Sequence, residues 1–310
     1  MVNTAGQAGE PLRFQAADGV ALGGHLWLAS QLLPGRSVVV VSPATSVRSR
    51  YYGRFASHLA GAGFDVVTFD YRGIGESRPA RLRGFRADWR DWGELDLEAA
   101  LSLAMARFPG RPVDVVAHSI GGFAAGLAPS ARQVRRIVTV GAQYAHWWDY
   151  APAARLPMLL RWHVAMPVLS RLFGYLPARR LGWMEDTPAG VARDWSRMAA
   201  RFERTLRDGA ALPARFAAIG APILAIGLED DPFGTIPAIE RLLAYYRASA
   251  RTHLRLAPAD AGVAAIGHFA FFHERFRETL WPLARHWLEA GTLPAGALGR
   301  IVPDRTARPD

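Results

Sequence analysis

The sequence predicts an α/β protein with a mostly parallel, doubly wound sheet and an inserted helical cap. Three observations predict it. Short Val- and Ile-rich runs bounded by turn residues alternate with helical patterns, the alternation fails over one long stretch, and 310 residues suffice to bury a large core.

The chain opens with a hairpin pattern, residues 12–16 and 20–28 joined across Asp18-Gly19, expected antiparallel at one edge of the sheet. Buried strands are then predicted at 37–41, 64–69, 113–117, 134–140, 222–227 and 252–256, because these are short, mostly apolar runs rich in Val and Ile and bounded by turn residues. Helical spacing falls between them, at 51–62, 92–108, 120–128, 236–249 and 269–290. From 143 to 213 the strand signal vanishes. That stretch holds five of the ten tryptophans and is too long for a plain connection, so it reads as a small helical cap. The core is then 1–142 with 214–290, and 291–310, poor in periodicity and rich in Gly and Pro, is expected to be a loosely docked tail.

Composition excludes several chemistries. All 37 basic side chains are arginine, and there is no lysine or cysteine. That removes disulfides, thiolate metal sites, a cysteine nucleophile, a Schiff-base lysine and a P-loop lysine. The histidines lack metal-site spacing, and neither metal nor cofactor is expected. The net charge of +10 raises nucleic acid as a partner, but no recognition motif accompanies it. Arginine in place of lysine beside many alanines is what a GC-rich coding sequence would give. Residues 1–10 lack a signal-peptide pattern and no run of about 18 apolar residues exists, so a cytoplasmic protein without stable membrane insertion is expected. A peripheral membrane contact through the cap stays open.

The strongest local signal is Val115-Val116-Ala117-His118-Ser119-Ile120-Gly121-Gly122, a buried strand running into a serine followed by small residues and a helix. A nucleophile elbow needs that context, because the sharp turn admits only small neighbours. Alone, Ser119 reads equally well as a helix N-cap. Two further pieces follow in the order serine, acid, histidine. Glu229-Asp230-Asp231 closes a strand, and Asp230 is favoured over Asp231 and Glu229. His268 lies in a loop ahead of the last helix, placed to serve as general base for Ser119. The oxyanion donors are expected to be the N–H of Ile120 and, in the loop Ser42-Pro43-Ala44-Thr45, the N–H of Ala44 or less readily Thr45, since Pro43 has none. His118 is expected to point away from the site.

These motifs, with Phe69-Asp70-Tyr71-Arg72-Gly73-Ile74-Gly75-Glu76-Ser77, resemble the α/β-hydrolase superfamily, in the branch of predicted hydrolases grouped with serine aminopeptidases and monoacylglycerol lipases. The resemblance spans about residues 12–290. It implies that the Asp70–Ser77 loop is structural and that the triad is Ser119, Asp230 and His268. A serine nucleophile disfavours dehalogenase and epoxide-hydrolase chemistry. The expected activity is hydrolysis of carboxylic esters of small to medium, partly apolar molecules through an acyl-enzyme. A thioesterase or acyltransferase would share the triad. A catalytically silent binding protein of the same fold is the alternative from another class, and retention of all three residue types speaks against it. An aminopeptidase would need carboxylates for a free amine, and Glu185-Asp186 are the candidates.

The charge is uneven. Residues 143–213 carry ten arginines against six acids, and Arg78, Arg81, Arg83, Arg86 and Arg90 crowd one loop opposed only by Asp88. An electropositive approach to the site, favouring substrates with a carboxylate or phosphate, is the expectation.

Overall fold

In the computed structural model, residues 8–31 and 33–303 are described, so most of the N-terminal stretch used for the signal-peptide reading lies outside them. Strands β1 (Glu10–Gln15) and β2 (Ala21–Trp27) form the expected antiparallel hairpin at the sheet edge. The parallel core follows: β3 (Val38–Ser42), β4 (Asp65–Phe69), β5 (Val113–His118) and β6 (Ile137–Val140), buried throughout. A small ribbon, β7 (Tyr175–Leu176) with β8 (Thr187–Pro188), stands apart from the sheet. Strands β9 (Ile223–Leu228) and β10 (Arg251–Leu256) complete the parallel set, and β11 (Arg300–Ile301) closes the far edge antiparallel. The order across the sheet is β1-β2-β4-β3-β5-β6-β9-β10-β11.

The strands are continuous apolar runs because both faces are covered, each by its own hydrophobic cluster. On one face lie α1 (Gly53–Gly61) and the C-terminal helix. The other is covered by α2 (Glu98–Arg107), which continues a π-helical lead-in at Asp91–Leu97, and by α3 (Ile120–Leu127).

Between β6 and β9 run α4 (Pro152–Met158), a π-helical stretch Leu159–Ala165, α5 (Met166–Phe173), the ribbon, α6 (Ala189–Arg197) and α7 (Leu212–Ala217). Pro167 lacks the N–H that an α-helix would give to the carbonyl of His163, which accounts for the widened turns before it. Tyr150, Trp162, Met166, Leu176, Ala178 and Ala192 form a third, separate core here. The outer face of this helix leaves Leu156, Leu160, Val164, Val168 and Leu172 exposed, two of them above 60%.

Two sequence expectations change. The predicted helix at 269–290 begins only with α9 (Trp281–Ala290), preceded by 3-10 turns, after α8 (Ile236–Leu243) and β10. Adjacent Phe271 and Phe272 are both fully buried, which the single stripe of a surface helix does not allow. The tail is not loose where it is described: Val302 donates its N–H to the carbonyl of His253, and β11 covers the edge of β10. Residues 304–310 lie outside the described residues.

Candidate active site

Strand β5 ends at His118, and Ser119 then takes φ 54°, ψ −121° before α3 starts at Ile120. A non-glycine residue there is strained, and the strain is held by packing. A Cβ on Gly121 would overlap the carbonyl oxygen of Ser42 in β3, so helix and strand approach this closely only because the position is glycine. Ser119 is 7% exposed, and its own N–H bonds the carbonyl of Val140 at 3.0 Å.

The structure places His268 beside Asp231, not Asp230. Nδ1 of His268 lies 2.6 Å from Oδ2 of Asp231. Asp231, 2% exposed, also accepts the N–H of Phe233 at 2.8 Å. Burial works to raise its pKa, but the His268 imidazole and the N–H groups of Gly234 and Phe233 outweigh burial and hold it below the ordinary carboxylate range. The favoured Asp230 has a different task. Its Oδ2 accepts the N–H groups of Ile266 and Gly267, at 2.7 and 2.8 Å, and so pins the loop that carries His268. Neighbouring residues at a strand exit face opposite ways, and only the fold reveals which faces inward. Arg255 braces the same corner by donating to the carbonyl of Gly234 at 2.6 Å.

The N–H of the favoured second oxyanion donor is already engaged. The N–H of Ala44 is donated to the hydroxyl of Tyr52 at 2.9 Å. Among the described residues nothing takes the N–H of Thr45, and Thr45 lines the same cavity as Ser119. Ile120, first residue of α3, has an N–H with no partner inside the helix.

His118, expected to point away, is part of this network. Burial lowers its pKa to about 3 and raises that of Tyr52 well above its usual value, so both are neutral. The carbonyl oxygen of His268 can only accept, so Nε2 of His118 donates to it at 2.8 Å, leaving Nδ1 to accept from the hydroxyl of Tyr52 at 2.9 Å. One chain of hydrogen bonds thus runs from Ala44 through Tyr52 and His118 to the backbone of His268. Its members are 66 and 150 residues apart in sequence, which leaves no local signal to find it.

Ser119, His268, Thr45 and the cap residues Tyr150, Arg161, Trp162, Trp183 and Trp195 line a cavity of about 430 Å³. No carboxylate lines it. Glu185 and Asp186 are spent elsewhere: Glu185 pairs with Arg48 at 2.8 Å and Asp186 with Arg78 at 3.1 Å, fastening cap to core. Arg83 likewise donates to the carbonyls of Phe173 and Leu172, while Arg90 pairs with Glu94 and Asp208. Three of the five crowded arginines therefore hold structure together, not a charged approach. The loop Asp70–Ser77 is also structural, with Arg72 bonded to Asp96 and Asp18. Among the described residues no cluster of metal-ligating side chains occurs, and no helix is long and apolar enough to cross a membrane.

Comparison with known proteins agrees with this architecture. Residues 34–254 match the family described as serine aminopeptidase, S33. Monoglyceride lipase of Saccharomyces cerevisiae is 25% identical over 114 residues, which is 36% of either chain. The crystal structure of a soluble variant of that yeast lipase, bound to a substrate analogue, superposes with a TM-score of 0.70 at 16% identity, covering 95% of this chain and 98% of that one. The monoacylglycerol lipase of Paleococcus ferrophilus superposes with a TM-score of 0.57 at 16% identity, covering 87% and 99%.

Proposed function

From the premise that the chain belongs to the serine aminopeptidase S33 family of α/β-hydrolases, serine-type hydrolytic enzymes, we propose that it cleaves carboxylic esters of small to medium, partly apolar molecules through an acyl-enzyme. The observation that carries the proposal is His268, paired with the buried Asp231 behind it, lining one cavity with a serine held at positive φ.

The roles follow from the proton positions. Asp231 is ionised and can only accept, so Nδ1 of His268 carries the proton and Nε2 is the free base. Nε2 takes the proton of Ser119 as its Oγ attacks the ester carbonyl carbon. The oxyanion forms against the N–H groups of Ile120 and Thr45. As the tetrahedral intermediate collapses, the imidazolium returns its proton to the departing alkoxide. Water, deprotonated by His268, then attacks the acyl-enzyme and releases the acid and Ser119. Asp231 keeps the imidazole in one tautomer throughout.

Aromatic walls from the cap and Phe269 support a partly apolar substrate. A peptide N-terminus fits less well, because a free ammonium would meet no carboxylate in the cavity. Labelling by a fluorophosphonate probe tests the nucleophile: the expected result is labelling of wild type and none of Ser119→Ala, and an unlabelled wild type rejects the proposal. A series of p-nitrophenyl esters, with thioester and aminoacyl amide controls, then reads the preferred bond.

The outer face of the cap bears on the same reading. Its exposed apolar stripe is accompanied, from Tyr150 to Met184, by Arg155, Arg171 and Arg180 and by no acid, while Arg161 lines the cavity and Arg179 pairs with Glu185. That combination supports contact with an anionic lipid surface, without insertion, as the place where an apolar ester is met.

A further inference from the structure

Arg161 is the one arginine lining the cavity, and among the described residues it makes no ion pair and no hydrogen bond. Its guanidinium lies 5.0 Å from the ring centroid of Trp183 and 5.5 Å from that of Trp162. Stacking on indoles engages the face of a guanidinium and leaves its edge N–H donors free, so the charge is held in place without being neutralised. The segment between β6 and β9 thus contributes an unpaired guanidinium and no carboxylate to the cavity, and the core contributes Ser119 and His268.

We propose that Arg161 forms a subsite for a carboxylate at the distal end of the substrate, so that the preferred substrates are half esters of dicarboxylic acids. The proposal rests on the ester-hydrolase reading and adds the substrate class to it. A single guanidinium matches a monoanion and offers the forked geometry that a carboxylate takes. A phosphate dianion would call for a second cation, and none lines the cavity. The apolar walls of the cavity suit the methylene chain of such an acid.

Binding is read apart from turnover with the Ser119→Ala protein, titrated calorimetrically with the monomethyl and dimethyl esters of suberic acid. The expected result is a monoester bound about tenfold or more tightly than the diester, an advantage that shrinks with salt. It disappears when Arg161→Met is added and is partly kept with Arg161→Lys. Equal affinity for the two esters, or an advantage that survives Arg161→Met, overturns the subsite. In the active enzyme, the ratio of kcat/KM for monoester over diester should fall by the same factor in Arg161→Met. Failure of fluorophosphonate labelling at Ser119 would instead reject the hydrolase reading, while the calorimetric comparison still reports on Arg161.

Discussion

The N–H of Ala44 is donated to the hydroxyl of Tyr52, 2.9 Å away, and that hydroxyl in turn donates to Nδ1 of His118. The loop expected to supply an oxyanion donor is therefore tied to the residue preceding the nucleophile. It is tied to the cap as well, since Ser46 bonds Thr187 and its carbonyl accepts the N–H of Glu185. Thr45 sits between these two anchors with its own N–H unspent.

Tyr52→Phe separates the two possible donors. If Thr45 is the donor, losing the hydroxyl loosens the loop and leaves Nδ1 of His118 unpaired. The expected outcome is a fall in kcat of about tenfold, KM nearly constant, and stability reduced by about 1–3 kcal/mol. A rate unchanged or raised would mean that the freed N–H of Ala44 serves the oxyanion. Steady-state kinetics on a p-nitrophenyl ester with urea denaturation reads both.

The neighbouring acids divide in the same way. Asp231→Asn removes the acceptor that fixes the tautomer of His268, and kcat should drop on the order of 10⁴-fold with the fold intact. Asp230→Ala instead frees the N–H groups of Ile266 and Gly267. It should cost about 1–3 kcal/mol of stability and far less of kcat. Equal losses of kcat in the two variants would reject the assignment.

Why the sequence pointed to this corner but favoured the carboxylate that does not pair with His268 is a matter of range. Strand-turn-helix punctuation is local, so the parallel strands and the elbow at Ser119 were legible from apolar runs and small residues. The choice between Asp230 and Asp231 depends on a loop 37 residues away, and the occupancy of the Ala44 N–H depends on the 3-10 turn Ser49–Tyr52 bringing the Tyr52 hydroxyl back to it. Arg78 and Arg83 looked like a charged rim because their partners, Asp186 and the carbonyls ending α5, lie about 90 or more residues further on. Compositional patterning records charge, not pairing.

The cap fastenings give a third outcome. Arg78→Ala and Arg83→Ala together remove bonds that hold the ribbon and the end of α5 on the core. Partly exposed contacts of this kind are worth about 0.5–1 kcal/mol each. KM for a p-nitrophenyl ester should rise several-fold with kcat changed less, and trypsin should cut the chain within residues 171–186 sooner than in wild type. An unchanged cleavage rate would show the cap held by its apolar core alone.

Buried histidine supplies the pH dependence. With its pKa lowered to about 3 by burial, His118 is neutral in the folded protein while its unfolded counterpart takes up a proton near pH 6.5. The unfolded state then binds more protons across that window, so stability falls as pH drops from about 6.5 towards 3, by up to about 1.4 kcal/mol per pH unit for this group. His58, lowered to about 4 for the same reason, acts in the same direction. Urea denaturation between pH 7 and 4 should show His118→Phe starting from lower stability but declining less steeply, by about one proton. Parallel slopes would mean that His118 is not the buried neutral group described.

The cap surface yields the last outcome. Leu156, Leu160, Val164, Val168 and Leu172 recur every fourth residue, and the π-helical turns at Leu159–Ala165 counter the drift that such spacing has on a regular α-helix. They form an apolar seam on a segment whose Arg155, Arg171 and Arg180 make no ion pair among the described residues. Burying it in the headgroup boundary gains the apolar area, and the arginines add an attraction that salt screens. Vesicles containing phosphatidylserine should therefore co-sediment the protein, phosphatidylcholine vesicles should do so weakly, and Leu156→Glu with Leu172→Glu should abolish the difference. Both positions are exposed, so the substitutions leave the fold and the hydrolysis of a soluble p-nitrophenyl ester in place. Co-sedimentation that persists in the double variant would move the contact to another face of the molecule.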